Sequence, residues 1–204
     1  MRTIALPDDL DAVATLRAGD RFYLTGRVFT ARDAAHRLLL ARHKHGEPLP
    51  FVPSRMGLYH CGPLVRRDAA GWHVLSAGPT TSMRMEPDEP RLLAAFRPRI
   101  VIGKGGMGPG TAAALARIDG IYAHFTGGAG ALAARSIDRV EGVFFLEELG
   151  MAEAVWILHV TRFGPLLVTI DPAGGNLYRG VEEENAARMK KIMQRIEKEA
   201  RWRK

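Results

Sequence analysis

The sequence predicts an α/β fold built on a parallel central sheet. In residues 99–102 a short apolar run precedes a glycine-rich loop, a helix-like segment at 111–118 and a second apolar run at 121–125. The order then repeats, with Gly127-Gly128-Ala129-Gly130 leading into a helix-like 131–137 and a strand-like 139–145. Strand, glycine turn, helix and strand is the pattern of right-handed crossovers, which join parallel strands. Of 204 residues, 47% are hydrophobic and 25% charged, ordinary values for a chain that buries a core within one domain.

The remaining elements follow from local signals. Residues 16–20 read as a turn before a strand at 21–29. A helix is expected to start near Thr30, with Asp33 in a capping-box-like relation, and to stop at Gly46 before Pro48 and Pro50. Short strands are expected at 57–61 and 72–76, joined by a charged turn at Arg66-Arg67-Asp68. Residues 88–96 read as a helix with Pro90 in its first turn. Strands at 154–160 and 166–170 precede the turn Asp171-Pro172-Ala173-Gly174-Gly175. A last helix carries Met189, Ile192, Met193, Ile196 and Ala200 on one face.

Composition narrows the function classes. No stretch approaches the roughly 18 uninterrupted apolar residues of a membrane span, and the N-terminus turns acidic at Asp8-Asp9 without a signal-peptide core. The single cysteine, Cys61, cannot form an internal disulfide, which suits a cytoplasmic protein. It cannot by itself build an all-cysteine iron–sulfur or zinc site. The net charge of +7 raises the question of nucleic acid. Residues 181–204 hold eight Lys/Arg against five Glu, and the rest of the excess is scattered. No basic stripe is interleaved with aromatic side chains, as single-strand binders require, so a solvated surface is the preferred reading of the charge.

Two loops carry the chemistry. Gly103-Lys104-Gly105-Gly106-Met107-Gly108 formally matches the dinucleotide fingerprint GxGxxG. Lys104 inside the tight turn opposes that reading, as does His124-Phe125-Thr126 where an acidic residue should end the next strand. A Walker loop is also a poor match, because the lysine stands at the front of the glycines. Gly78-Pro79-Thr80-Thr81-Ser82-Met83-Arg84 offers hydroxyls that donate to a carboxylate and a guanidinium that grips one bidentately. Either loop alone fits an ordinary turn. Both follow similar strands, and ligands in such sheets collect at strand carboxyl ends, so together they predict a site for a small carboxylate. Arg32-Asp33-Ala34-Ala35-His36 opens a helix, where Arg32 could face the anion and Asp33 could orient Arg32 or His36; a plain charge pair and a helix-face histidine fit equally. His43 and His45 have metal-like spacing but no companions, so no metal site is expected. Cys61 reads most simply as a small buried residue.

Taken in order, these pieces resemble the β subunit, of C-terminal-domain type, of the class I iron–sulfur-dependent hydro-lyases: fumarate hydratase and its relative L(+)-tartrate dehydratase. The matching stretches are Tyr23-Leu24-Thr25-Gly26 leading to Thr30-Ala31-Arg32-Asp33-Ala34-Ala35-His36, then Gly62-Pro63, then Gly78-Pro79-Thr80-Thr81-Ser82-Met83-Arg84-Met85 and Ile102-Gly103-Lys104-Gly105-Gly106-Met107. Glu148-Leu149-Gly150-Met151, Ala154-Val155-Trp156 and Gly175-Asn176-Leu177-Tyr178 complete the match. Ala31 stands where some relatives have Gly, and Cys61 where relatives commonly carry Ala.

The resemblance implies a three-layer, swivelling β/β/α domain with a parallel central sheet over residues 1–204, ending in an amphipathic helix near 181–203. It implies a free-standing subunit, active only with an iron–sulfur α subunit that carries a [4Fe-4S] cluster, in an α2β2 hetero-oligomer. By position, Arg32, Arg84 and Lys104 would bind substrate carboxylates with help from Thr81. Thr80 matches the threonine that removes the carbon-bound proton, and needs an activating partner to do so. Asp33, His36, Gly103 and Gly105 would support them, with no metal ligand on this chain. The carboxylate grip does not separate fumarate from tartrate. Gly127-Gly128-Ala129-Gly130 leans to the former, Phe163-Gly164-Pro165-Leu166 to the latter. The expected reaction is the reversible hydration of fumarate to (S)-malate, with dehydration of L(+)-tartrate to oxaloacetate as the alternative. A non-catalytic basic domain that binds a ligand or nucleic acid is the alternative of another class.

Overall fold

The structure, a computed structural model, describes residues 1–201. Four parallel pairings link β1 (Arg2–Ala5), β2 (Arg21–Thr30), β3 (Gly57–Tyr59), β6 (Ile100–Gly103) and β7 (Ile121–His124) in that order. The crossovers between them carry α2 (Asp33–Lys44), α3 (Glu89–Phe96) and α4 (Pro109–Ala116). Residues 100–103 are buried throughout, as a strand covered on both faces requires. Their alternation feeds two cores. Ile100 and Ile102 join Tyr59, Ala123, Trp156 and Phe163 on one face, whereas Val101 joins Leu39, Leu92, Leu93 and Leu115 under the helices on the other.

The sheet is mostly parallel rather than wholly so. β9 (Val155–Ile170) runs back antiparallel against β2, β7 and β8 (Ile137–Phe144). Its pairing with β2 closes the ring β2-β3-β6-β7-β9. The pattern suggests two strands at 154–160 and 166–170 because Arg162 (φ 49) and Gly164 (φ 141) interrupt it. The β2 ladder continues across that interruption, from Val160 through Phe163 to Leu166, so it is an irregularity within one strand.

Other differences are local. Arg66-Arg67-Asp68 lie not in a turn but in β4 (Leu64–Asp68), which pairs with β5 (Gly71–Ser76) as a separate two-stranded sheet. Val65 points inward while the charged neighbours face solvent, so charge alone misleads there. Thr30 does not open a helix. It ends β2, where its Oγ1 donates to the Ala154 carbonyl (3.2 Å) and accepts from the Trp156 N–H (3.0 Å). The helix begins at Asp33, after Arg32 in extended conformation. The short β1 and α1 (Leu10–Val13) carry no pattern long enough to announce them. α5 (Gly130–Arg135) and α6 (Leu146–Leu149) flank β8. α7 (Leu177–Arg201) begins before residue 181, and residues 202–203 of the expected helix lie outside the described residues. Met189, Ile192, Met193 and Ile196 on it are about half exposed, at 59%, 53%, 49% and 52%.

Candidate active site

The two loops singled out in the sequence are zipped together. Thr81 and Lys104 form a parallel bridge. The Ser82 N–H donates to the Lys104 carbonyl (3.0 Å), and the Lys104 N–H donates to Ser82 Oγ (3.1 Å). The Thr80 N–H donates to the carbonyl of His60, just beyond β3 (2.8 Å). The two loops do not follow equivalent strands, since the 78–84 turn leaves the small β4–β5 sheet. These hydrogen bonds carry it to the end of the main sheet, where it pairs with Lys104 just beyond β6. Gly103 makes the approach possible: a Cβ there would stand 1.8 Å from Ser82 Oγ.

Arg84 and α2 complete the cluster. One Arg84 nitrogen donates to Thr80 Oγ1 (2.8 Å) and lies 3.1 Å from Asp33 Oδ2, so Asp33 orients Arg84 rather than Arg32 or His36. Arg32 reaches back to the Ala152 carbonyl (3.4 Å) and to Glu153 (3.4 Å). Its guanidinium lies over Gly62, where a Cβ would come within 2.7 Å of it. The Lys104 side chain runs over Gly127 in the same way, with a Cβ there 2.9 Å from its Cδ. Two of the sequence's glycine motifs therefore serve as flat floors beneath cations. Arg84 and Thr81 are exposed, and Arg32, Asp33, Thr80, Lys104 and Gly105 are half-buried around them.

Neither adjoining helix offers a vacant N-terminus. Glu86 accepts the Gly108 and Thr111 N–H groups and the Thr111 hydroxyl at the start of α4 (2.8, 3.1 and 2.6 Å). Glu153 accepts the Ala34 N–H at the start of α2 (2.9 Å). A pyrophosphate in the dinucleotide manner would need the α4 end, which a carboxylate of the chain already fills. The groups at this end that could meet an anion are therefore side chains: the guanidiniums of Arg32 and Arg84, the Lys104 ammonium and the hydroxyls of Thr80 and Thr81.

A family model described as "Fumarase C-terminus" matches residues 2–181. The chain belongs to the fumarase C-terminus family. It is 40% identical over 172 residues to "Putative L(+)-tartrate dehydratase subunit beta" of Methanocaldococcus jannaschii, spanning 84% of this chain and 88% of the relative. It is 36% identical over 195 residues to "L(+)-tartrate dehydratase subunit beta" of Escherichia coli K12, spanning 96% and 95%. It matches "Putative fumarate hydratase class I" of Geobacillus stearothermophilus at 36% identity, where 95% of this chain covers 37% of that longer protein.

Beneath the cluster of this fumarase-family chain lies a charged group that motif reasoning did not assemble. His36, His60 and Glu89 are fully buried. Glu89 Oε2 sits 2.9 Å from His36 Nε2, a hydrogen bond, and 2.9 Å from His60 Nε2, a contact without hydrogen-bond geometry. The other nitrogen of each ring is also engaged: His36 Nδ1 with the Arg32 carbonyl (2.8 Å), His60 Nδ1 with Ser82 Oγ (2.9 Å). Burial alone would push Glu89 up, but His60 and His36 hold its carboxyl well below the usual range. Burial pulls His36 down, and the hydrogen bond and charge of Glu89 more than offset it, so His36 is raised. The Glu89 position is visible in the sequence only as a helix start.

A second set borders the glycine loop. The Gly105 N–H donates to His124 Nδ1 (3.3 Å), so Tyr178 Oη, 3.1 Å from the same nitrogen, donates as well. Burial lowers His124, consistent with a neutral ring that accepts at Nδ1. The Tyr178 ring covers Gly106, which gives the Gly175-Asn176-Leu177-Tyr178 stretch a physical role. Cys61 is buried, and burial pushes its thiol up to about 12. It is the chain's one cysteine, so these residues do not fit an iron–sulfur cluster held by cysteines. No helix among the described residues is long and apolar enough to cross a membrane.

Proposed function

We propose that this chain is the β subunit of a cytoplasmic hydro-lyase that reversibly hydrates fumarate to (S)-malate, and that it supplies the carboxylate grip of an active site shared with an α subunit. The observation that carries the reading is the gathering of Arg32, Arg84, Lys104, Thr80 and Thr81 at one open end of the sheet, in a member of the fumarase C-terminus family. Three fixed cations suit a dianion, and the capped helix ends weigh against phosphate. The proposed [4Fe-4S] cluster belongs to the α subunit, since this chain cannot ligate it. A single three-layer swivelling β/β/α domain over residues 1–204, assembled as α2β2, completes the reading.

In the proposed site Arg84 and Lys104 bind one end of the diacid and Arg32 the other, with Thr81 donating from its hydroxyl. Thr80 Oγ1 takes the carbon-bound proton when water is removed and returns it when water is added. A threonine hydroxyl is a weak base unless its alkoxide is favoured. Arg84 supplies that bias, because its N–H points at Thr80 Oγ1 from 2.8 Å and a donated hydrogen bond strengthens as the oxygen gains charge. Asp33 keeps Arg84 in that position.

A second reading, L(+)-tartrate dehydration to oxaloacetate, is favoured by the names of the Methanocaldococcus jannaschii and Escherichia coli relatives, which are matched over most of their lengths. Anaerobic co-expression with a candidate α subunit, assayed on fumarate, malate and both tartrates, tests both. Activity on fumarate or malate supports the first, and activity confined to L(+)-tartrate selects the second. Full activity from this chain alone would sink both.

A further inference from the structure

We propose that His36, Glu89 and His60 form a buried, protonated strut that fixes the spacing between the two halves of the carboxylate grip, making all three positioning residues for the reaction. The inference rests on the proposed function, since it concerns how that site holds its shape.

The three side chains come from different elements: His36 from the first turn of α2, His60 from just beyond β3, and Glu89 from the start of α3. Each imidazole faces Glu89 through Nε2, His36 by a hydrogen bond and His60 by a 2.9 Å charge contact without hydrogen-bond geometry, and each meets a site loop through Nδ1. On one side, the Arg32 carbonyl accepts from both the N–H and the ring of His36 (2.9 and 2.8 Å). On the other, His60 meets Ser82 Oγ, the atom that also accepts the Lys104 N–H, and its carbonyl accepts the Thr80 N–H. The path Arg32, His36, Glu89, His60, Ser82, Lys104 thus crosses beneath the site from one cation to the other.

Hydrogen-bond accounting fixes the charge of His36. A carbonyl oxygen can only accept, so Nδ1 carries a proton. The other ring nitrogen faces Glu89, which His60 and His36 hold ionised, and a lone pair there would repel the carboxylate, so Nε2 carries one too. The groups facing His36 are Glu89 and Asp88 at the start of α3, His60 from the β3 end and the Arg32 carbonyl just before its own helix; Tyr122 of β7 faces Glu89. The anionic members that touch or face the ring favour its protonated form. A buried carboxylate between two imidazoles costs more to keep than an apolar contact would, and its second oxygen, Oε1, has no hydrogen-bond partner among the described residues. A cluster so placed makes sense where geometry has to be held rather than where stability alone is sought. Dicarboxylate recognition depends on the separation of two charge pairs, which this strut sets.

The test combines imidazole nitrogen NMR on the whole chain with steady-state kinetics of the reconstituted complex, for wild type and Glu89→Gln. The wild-type His36 should give an imidazolium signature at pH 7.5, and Glu89→Gln a neutral one. In the complex Glu89→Gln should raise KM for the dicarboxylate about tenfold, the scale of one lost charge-assisted hydrogen bond, with a smaller change in kcat. The alkaline limb of the pH profile should move down. A neutral wild-type His36 overturns the proposal, as do an unchanged KM and pH limb in a folded Glu89→Gln complex. So does a stoichiometric transition metal that copurifies and is lost in Glu89→Gln, because the three donor groups lie within 4.8 Å and would then be a ligand set. The wild-type NMR result needs no variant to fold. If the hydro-lyase reading were wrong, the wild-type complex would be inactive on every diacid while the His36 signal still reported the strut.

Discussion

Two basic regions of this chain are held in opposite ways. Around the site, each cation is seated: Arg84 between Asp33 and Thr80, Arg32 over Gly62 against Glu153, Lys104 over Gly127 with its backbone tied to Ser82. Along α7, Lys190 and Lys191 stand in solvent among half-exposed apolar residues. Charge that is held by a frame of hydrogen bonds is pre-organised for a ligand, and charge that is merely solvated is not. The contrast separates the enzyme reading from the basic-domain alternative, in which α7 would matter more than the loops.

The largest effect should come from the seated cations. Lys104→Ala or Arg84→Ala in the reconstituted complex should lower kcat/KM by about a hundred- to a thousand-fold, with assembly by size-exclusion chromatography unchanged. Thr80→Ala should lower kcat at least as far, while Thr80→Ser keeps the hydroxyl and should restore much of it. If α7 substitutions proved more damaging than these, the comparison would be reversed.

Frame substitutions should come next. Gly103→Ala forces Ser82 aside and should destabilise the chain by roughly 1–3 kcal/mol, the cost of overpacking, readable as a lower melting temperature together with lost activity. Glu86→Ala strips the cap from α4 and should cost about 1–2 kcal/mol, with activity falling less than in Gly103→Ala. A pH scan probes the frame more gently. The raised His36 contributes stability that is fully present below 6.5 and lost as pH rises through its higher folded value. Wild-type melting temperature should therefore decline on the alkaline side, and Glu89→Gln should flatten that decline. The smallest effect is expected on α7: Lys190→Ala with Lys191→Ala should leave stability within about 0.5 kcal/mol and activity within about twofold, and a steep salt dependence of ligand binding would revive the alternative.

The positions of these seated residues were readable because their loops announce themselves. Gly78-Pro79 and Gly103-Lys104 punctuate apolar runs, and strand ends in such sheets gather together. The same punctuation marks α3, α4 and the strands between them. Thr30 misleads because a threonine before Asp33 resembles a cap, while its hydroxyl is spent joining β2 to the start of β9. β9 is hidden as two strands because only its pairing with β2 holds it together across Arg162 and Gly164. The strut leaves no local trace at all. Positions 36, 60 and 89 share no period, and a buried glutamate at a helix start looks like a solvated one until the fold places two imidazoles against it.

The ring closed by β2 and β9 also bears on how the molecule comes into being. Arg21 pairs with Leu167 and Phe29 with Ile157, so the most extensive strand pairing joins the first quarter of the chain to its last. Such high contact order slows folding, and on the ribosome β2 must wait with one edge bare while almost everything else is synthesised. A bare strand edge recruits other strands. A nascent chain stalled before β9 would therefore be prone to aggregate, and the loops that hold the cations would be threaded between strands whose final neighbour had not yet emerged.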